Sequence, residues 1–146
     1  MSTTFSPTTT FTQAPAVETT ARPTFWKTGV VSGVGAAVAT TLIAAAARAA
    51  DVSLAVDGEK IPLLGFAQLT LVGALIGTVM ARVMSKRARQ PRRTFVVTTV
   101  VLTALSLVPD VTVDAPTSSK LVLMLTHVVA AAIVVPALAN RLSTQR

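Results

Sequence analysis

The sequence contains no cysteine, one histidine and few charged residues. Without cysteine the chain forms no disulfide and has no thiolate for catalysis or metal binding. One histidine in a chain without cysteine does not build a transition-metal site by itself. No phosphate-binding glycine loop, dinucleotide fingerprint, H-E-x-x-H or nucleophile elbow occurs. These absences argue against an enzyme, and no cofactor or metal is expected.

The low content of charge also argues against an ordinary soluble domain. Charged residues make up 13% of the 146 residues and hydrophobic residues 51%, whereas soluble domains have about 25% charged residues. The formal net charge is +7, which in a soluble protein would favour a nucleic-acid partner. Here the cations cluster at the ends of apolar segments. We therefore expect the lipid bilayer as the partner, and no nucleic acid.

Four apolar segments are each long enough to cross a bilayer. The predicted spans cover about residues 28–48, 62–84, 94–113 and 119–142, and about 20 helical residues cover a hydrocarbon core of roughly 30 Å. The third span is rich in β-branched residues, but in lipid a helix satisfies its own backbone hydrogen bonds. The predicted fold is an all-α integral membrane protein with four transmembrane helices in an antiparallel bundle.

The N-terminal segment has a different composition. Residues 1–24 contain nine Thr, two Ser and three Pro, which predicts a disordered cytoplasmic tail before a transmembrane domain of residues 25–146. A glycosylated stalk is the alternative if this segment lies outside. The run Ala47-Arg48-Ala49 also resembles a signal-peptide cleavage site before Ala50, although the apolar stretch exceeds the usual h-region of about 7–15 residues.

Basic residues set the predicted orientation, because short loops rich in Lys and Arg stay on the cytoplasmic side. Alternation then puts ten cations and one acid inside and three cations and five acids outside, a net charge of +9 against −2. We predict a multi-pass plasma-membrane protein with both termini in the cytoplasm. The loop between spans 2 and 3 carries or adjoins six of the 13 cations: Arg82, Lys86, Arg87, Arg89, Arg92 and Arg93.

Small residues recur at helical spacing in the first two spans. Gly29 and Gly33 begin a stripe in span 1, and Gly73 and Gly77 form a second stripe in span 2. Small residues let transmembrane helices approach closely. The two stripes predict that spans 1 and 2 pack together as a hairpin; the alternative is that one stripe faces a second copy of the protein. Between these spans, Asp57-Gly58 predicts a turn of a short hairpin.

Polar residues of all four spans are predicted at similar depth in the outer half of the bundle. They serve either as hydrogen bonds between helices or as a site for a small solute, a proton or a lipid headgroup, with His127 as the titratable member. Pro109-Asp110 is expected to end or bend span 3 on its outer side, with Asp110 in the outer loop. No acidic residue is then expected inside the apolar segments, which weakens the comparison with proton- or cation-coupled carriers. The predicted polar layer comprises Thr40, Thr41, Gln68, Ser106 and His127.

Several short motifs resemble a known family. They are Ile61-Pro62-Leu63-Leu64-Gly65-Phe66, the end of span 3 from Leu102 to Pro109, Thr126-His127-Val128-Val129-Ala130, and Val135-Pro136-Ala137-Leu138. Together they resemble a domain-of-unknown-function family of small four-span membrane proteins from actinobacteria, over about residues 28–142. The resemblance implies four spans and a plasma-membrane location, and that family has no assigned activity.

The resulting expectation is a structural or partner-interaction role in the cell envelope, with a homo-oligomer or another envelope protein as the partner. The alternative is a small solute or proton permeation or transport protein that uses the polar layer.

Overall fold

The computed structural model describes residues 25–143, and the predicted disordered tail of residues 1–24 lies outside them. Its four long helices are each long and apolar enough to cross a membrane. The predicted all-α, four-span fold is therefore confirmed. The elements in chain order are α1 (Phe25–Ala49), β1 (Ala55–Val56), β2 (Glu59–Lys60), α2 (Leu63–Arg87), α3 (Pro91–Thr112) and α4 (Thr117–Ser143).

Proline and basic residues mark the helix ends. Helix α2 starts directly after Pro62, and Pro91 occupies the first turn of α3, where a missing N–H costs no helical hydrogen bond. Lys86 and Arg87 lie in the last turn of α2, where cations interact favourably with the helix dipole. Only residues 88–90 separate α2 from α3. This short connection makes the two helices antiparallel neighbours and exposes all six cations of the basic region at one end of the bundle.

Helix α1 approaches α2 closely at the glycine stripe of span 1. Gly29 and Gly33 are both buried. A Cβ atom added at Gly33 would lie 2.9 Å from the Cβ of Ala74, and one added at Gly29 would overlap the side chain of Thr78. Because these distances are below van der Waals contact, only glycine allows the two backbones to come so near. The structure thus places the first stripe where a helix-packing surface was predicted.

The glycines of span 2 lie elsewhere. A Cβ at Gly77 would meet the Leu138 side chain of α4 at 3.7 Å, and a Cβ at Gly73 would meet nothing within 4 Å. Helix α2 instead presents Ala74 to α1, one residue further along the chain. This corrects the prediction that Gly73 is a helix-packing residue, and the physical reason is the rotation of α2 about its axis.

The helices form a ring in which α1 contacts both α2 and α4, while α3 contacts α4 extensively and α2 only sparsely. Helices α2 and α4 also touch across the ring. As a result, a gap remains between α2 and α3. The largest core cluster of buried residues comprises Phe25, Ala36, Ala74, Ala81, Phe95, Val134, Leu138, Ala139 and Leu142.

The segment between α1 and α2 folds into the predicted hairpin. Val56 pairs with Glu59 in the two-stranded antiparallel sheet. Asp57 and Gly58 have φ angles of +51° and +82°, as a two-residue hairpin turn of the I′ kind requires. The backbone N–H of Asp57 donates to the carbonyl of Asp114 at 3.0 Å. The hairpin is therefore attached to the connection between α3 and α4.

The side chain of Leu54 anchors the same segment to the helices. It is fully buried, in contact with a cluster that includes Ala44 and Phe66. Its carbonyl accepts a hydrogen bond of 3.0 Å from the N–H of Ile61, whose own carbonyl accepts from the Arg48 guanidinium. The connection thus closes one end of the bundle as an ordered cap.

Helix α3 continues past Pro109 and includes Asp110, contrary to the expectation that Asp110 lies in the outer loop. It extends to Thr112, and Asp110 is a buried residue of its last turn. Proline removes only its own N–H donor, and its carbonyl still accepts a 2.9 Å bond from the N–H of Val113. The prediction that the spans contain no acidic residue is therefore wrong. Asp110 lies within a helix that is long and apolar enough to cross a membrane.

We predict that Gly33→Leu destabilises the protein, because the added side chain collides with Ala74, and overpacking a core costs about 1–3 kcal/mol. Thermal unfolding of the purified protein in mild detergent measures the effect. Gly35→Leu is the matched control, since Gly35 lies on the same helix with nothing within 4 Å of its added Cβ. Equal melting temperatures for the two variants would contradict close α1–α2 packing.

Candidate functional site

A cavity of about 400 Å³ lies between α2, α3 and α4, in the gap that the helix arrangement leaves. None of its lining residues comes from α1. Gly73 contributes to the opening because it has no side chain to fill the space. The apolar part of the wall includes Phe66, Leu69, Ile76, Met80, Phe95, Leu102, Val134 and Val135.

The cavity opens sideways, toward the outside of the bundle. Leu69, Ile76 and Leu102 all line it, yet they expose 73%, 59% and 47% of their surface. For helices that cross a membrane, such exposed leucine and isoleucine side chains face lipid chains. The cavity is therefore accessible from the hydrocarbon region between α2 and α3.

The most polar feature beside the cavity is a contact between α3 and α4. The Nδ1 atom of His127 lies 2.9 Å from Oδ2 of Asp110. The carboxylate oxygen Oδ2 has no hydrogen-bond partner of standard geometry, so the two side chains form a close polar contact. Nδ1 also lies 3.0 Å from the carbonyl oxygen of Leu123 in its own helix. A proton on Nδ1 therefore faces two oxygen atoms at once.

The two members of the pair differ in burial. The Asp110 side chain is 9% exposed, whereas the His127 side chain is 42% exposed and lines the cavity. A buried carboxylate is costly unless a proton donor or cation compensates it. His127 thus contacts the buried Asp110 carboxylate, and its ring also lines the cavity.

The hydroxyl groups along the cavity mostly bond within their own helices. Thr99 donates to the carbonyl of Phe95 at 2.8 Å, Ser106 to that of Thr103 at 2.7 Å, and Thr126 to that of Leu123 at 2.7 Å. Back-bonding of this kind uses the hydroxyl hydrogen and shields the carbonyl. These three hydroxyls therefore offer the cavity only their acceptor oxygens, and the His127 ring and Thr103 also line it.

The structure divides the predicted polar layer. Ser106 and His127 line the cavity together. Thr40 shares a 3.0 Å hydrogen bond with Thr70, which links α1 to α2 and so acts between helices. Thr41 donates to the carbonyl of Ala37 in its own helix. Gln68 is exposed on α2 and does not line the cavity.

Two residues that form these polar contacts between helices, Thr70 and Asp110, were not predicted from the sequence. The spacing of Ser106 and Asp110, four residues apart, is a signal for Asp110, because residues at i and i+4 share a helix face. The signal was missed because Asp110 was expected to lie in the outer loop after Pro109. Thr70 carries no comparable signal, since which threonine of α2 meets α1 depends on the rotation of the helix.

One of three comparisons with known proteins found a match, to a family of unknown function. The model of a family of unknown function, DUF6069, matches residues 20–144. No curated protein and no solved structure matches the chain. The match extends over all four helices and the cavity.

We predict that His127→Leu lowers stability, because it leaves the buried carboxylate of Asp110 without a partner, and an unsatisfied buried polar group costs about 1–3 kcal/mol. His127→Gln keeps hydrogen-bonding capacity and is expected to be closer to wild type. Thermal unfolding in mild detergent is the measurement, and Gln68→Leu is the control, since Gln68 is exposed.

A double-mutant cycle with Asp110→Asn isolates the pair from other effects of either substitution. We expect the double variant to lose less stability than the sum of the single losses. Strict additivity would show that the His127–Asp110 contact contributes nothing to stability.

Proposed function

We propose that this chain, which belongs to the DUF6069 family of unknown function, is a non-catalytic protein of the plasma membrane with a structural or partner-binding role in the cell envelope. The main support for this proposal is the ordered cap that closes the end of the bundle opposite the basic loop. A connection that merely joined two helices would need neither a buried anchor nor a bond to the next connection. This one has Leu54 buried beneath it and a backbone bond from Asp57 to Asp114.

An ordered surface of this kind favours partner binding. A loop that is already held in one conformation loses less entropy when a partner binds it. The cap exposes Asp57, Glu59 and Asp114 beside the single cation Lys60, and this excess of acids favours a partner with a basic surface. We propose a second envelope protein as the partner, with a second copy of this chain as the alternative.

The charge distribution supports the proposed orientation. The six cations of the basic region are exposed at the end of the bundle where α2 passes into α3. The capped end carries mostly acids. By the positive-inside rule the basic end is cytoplasmic, and α1 begins and α4 ends at that same end, so both termini are proposed to be cytoplasmic.

The arrangement of Ser106, His127 and Asp110 supports a non-catalytic role. These are the residue types of a hydrolase triad, but a triad requires the serine hydroxyl to donate to the histidine. Ser106 Oγ donates instead to the carbonyl of Thr103 at 2.7 Å. Transport through the predicted polar layer has less support, since only Ser106 and His127 of its five residues line the cavity.

Reporter fusions test the orientation. A reporter active only outside the cytoplasm, fused after Lys60 or after Ser118, is expected to be active, and the same reporter fused after Arg89 is expected to be silent. A fluorescent reporter that folds only in the cytoplasm provides the inverse control at each position. Outside activity from the Arg89 fusion would reverse the proposed topology.

The partner-binding role is tested by purification of the tagged full chain from native membranes in mild detergent. We expect a stoichiometric protein to be retained, and the double substitution Glu59→Lys with Asp114→Lys to release it. Both side chains are exposed, and Asp57 is left intact because its positive φ disfavours lysine. Glu59→Gln with Asp114→Asn, which removes the charge without reversing it, is expected to weaken retention partially.

Lys86→Gln with Arg89→Gln is the matched control at the basic end and is expected to keep the partner. Co-expression of two differently tagged copies distinguishes self-association from a second protein. Absence of any stoichiometric companion in the wild-type preparation would contradict the role.

A further inference from the structure

We propose that the cavity between α2, α3 and α4 binds one uncharged single-chain lipid, with its chain along the apolar wall and a hydroxyl or carbonyl head at Ser106 and His127. This site is separate from the outer cap to which the partner-binding role is assigned.

The dimensions of the cavity suit a small apolar ligand. Along α3 the lining extends from Phe95 to Ser106, which at 1.5 Å per residue is about 16 Å. The volume of about 400 Å³ is that of a small-ligand site. An elongated cavity of this size that opens toward the hydrocarbon region favours a lipid chain as the occupant.

The chemistry of the wall agrees with this occupant. Ligand sites are typically apolar clefts of about 300–1,000 Å³ with a few polar groups that set orientation. The hydroxyls of Thr99 and Thr126 donate to their own helix backbones, so most of the contact that the wall offers a chain is apolar. Exposed Leu69 and Leu102 mark the lateral opening through which a chain enters from the bilayer.

The polar end selects the head group. His127 lies against Asp110 at 2.9 Å, so the imidazole has a carboxylate beside it and an anionic head would meet repulsion there. A cationic head would compete with His127 for the carboxylate. The Ser106 oxygen retains lone pairs after its donation to Thr103, and the His127 ring is partly exposed in the cavity. A neutral hydroxyl or carbonyl group can hydrogen-bond to these atoms without adding charge.

Photolabelling of the purified full-length protein tests the proposal. The probe is a sixteen-carbon primary alcohol that carries a diazirine in its chain, added to protein in mild detergent, with labelled residues mapped by mass spectrometry. We expect labels on cavity residues of α2, α3 and α4. Unlabelled 1-hexadecanol should compete at a concentration at least tenfold lower than hexadecane or palmitate requires.

Two variants fill the cavity from different helices. Gly73→Leu and Ala131→Leu each add a side chain to the lining and are expected to reduce labelling at least tenfold. Gly35→Leu is the matched control, because Gly35 is an exposed helical glycine with nothing within 4 Å of an added Cβ, and its labelling should stay within twofold of wild type. Size-exclusion chromatography confirms that each variant used is folded.

The outcomes separate clearly. Labelling that persists in either folded cavity-filling variant, or that maps mainly to α1, would overturn the site. Equal competition by hexadecane would show that Ser106 and His127 do not select a head group, and stronger competition by palmitate would show that the head is anionic; either result overturns the proposed ligand class. Loss of labelling in Gly73→Leu with retention in Gly35→Leu supports it.

Discussion

The close approach of α1 to α2 is the contact on which the rest of the bundle depends. Gly33 and Ala74 bring the two helices together with almost no side chain between them, as small residues do in membranes, where packing rather than water exclusion drives association. Helix α1 then also contacts α4. With both α2 and α4 held by α1, helix α3 is left to pack mainly on α4. The cavity between α2 and α3 is the geometric consequence.

Two specific polar interactions add to the extensive packing of α3 on α4. The His127–Asp110 pair is one of them, and Lys120 contributes another by donating from Nζ to the carbonyl of Val111 at 2.8 Å. Both lie toward the capped end of the bundle. Toward the other end Phe95 is fully buried within the main core cluster. Helix α3 is thus fixed at its two ends, while the cavity occupies the part between them.

The two ends of the bundle are built on different principles. The basic end is a three-residue connection with exposed cations, and it depends on little tertiary structure. The acidic end is an ordered cap that combines a hairpin, a buried leucine and a hydrogen bond between the two connections. An end that only had to reverse the chain would resemble the first kind. The ordered cap and the polar end of the cavity therefore lie on the same side of the bundle.

The sequence by itself determined the helix count, the approximate span positions, the hairpin turn at Asp57-Gly58 and the asymmetry of charge. Each follows from a local property, namely apolar length, turn preference or the clustering of Lys and Arg. The small-residue pattern likewise located Gly29 and Gly33, whose burial against α2 follows from their lack of side chains.

Only the tertiary structure decided which face of each helix meets which neighbour. Rotation of α2 put Ala74 rather than Gly73 against α1, and turned Gln68 outward while Thr70 met Thr40. The continuation of α3 beyond Pro109 brought Asp110 into the bundle. Helical periodicity places residues on a common face, but the direction of that face depends on the packing of all four helices together, which no single span contains.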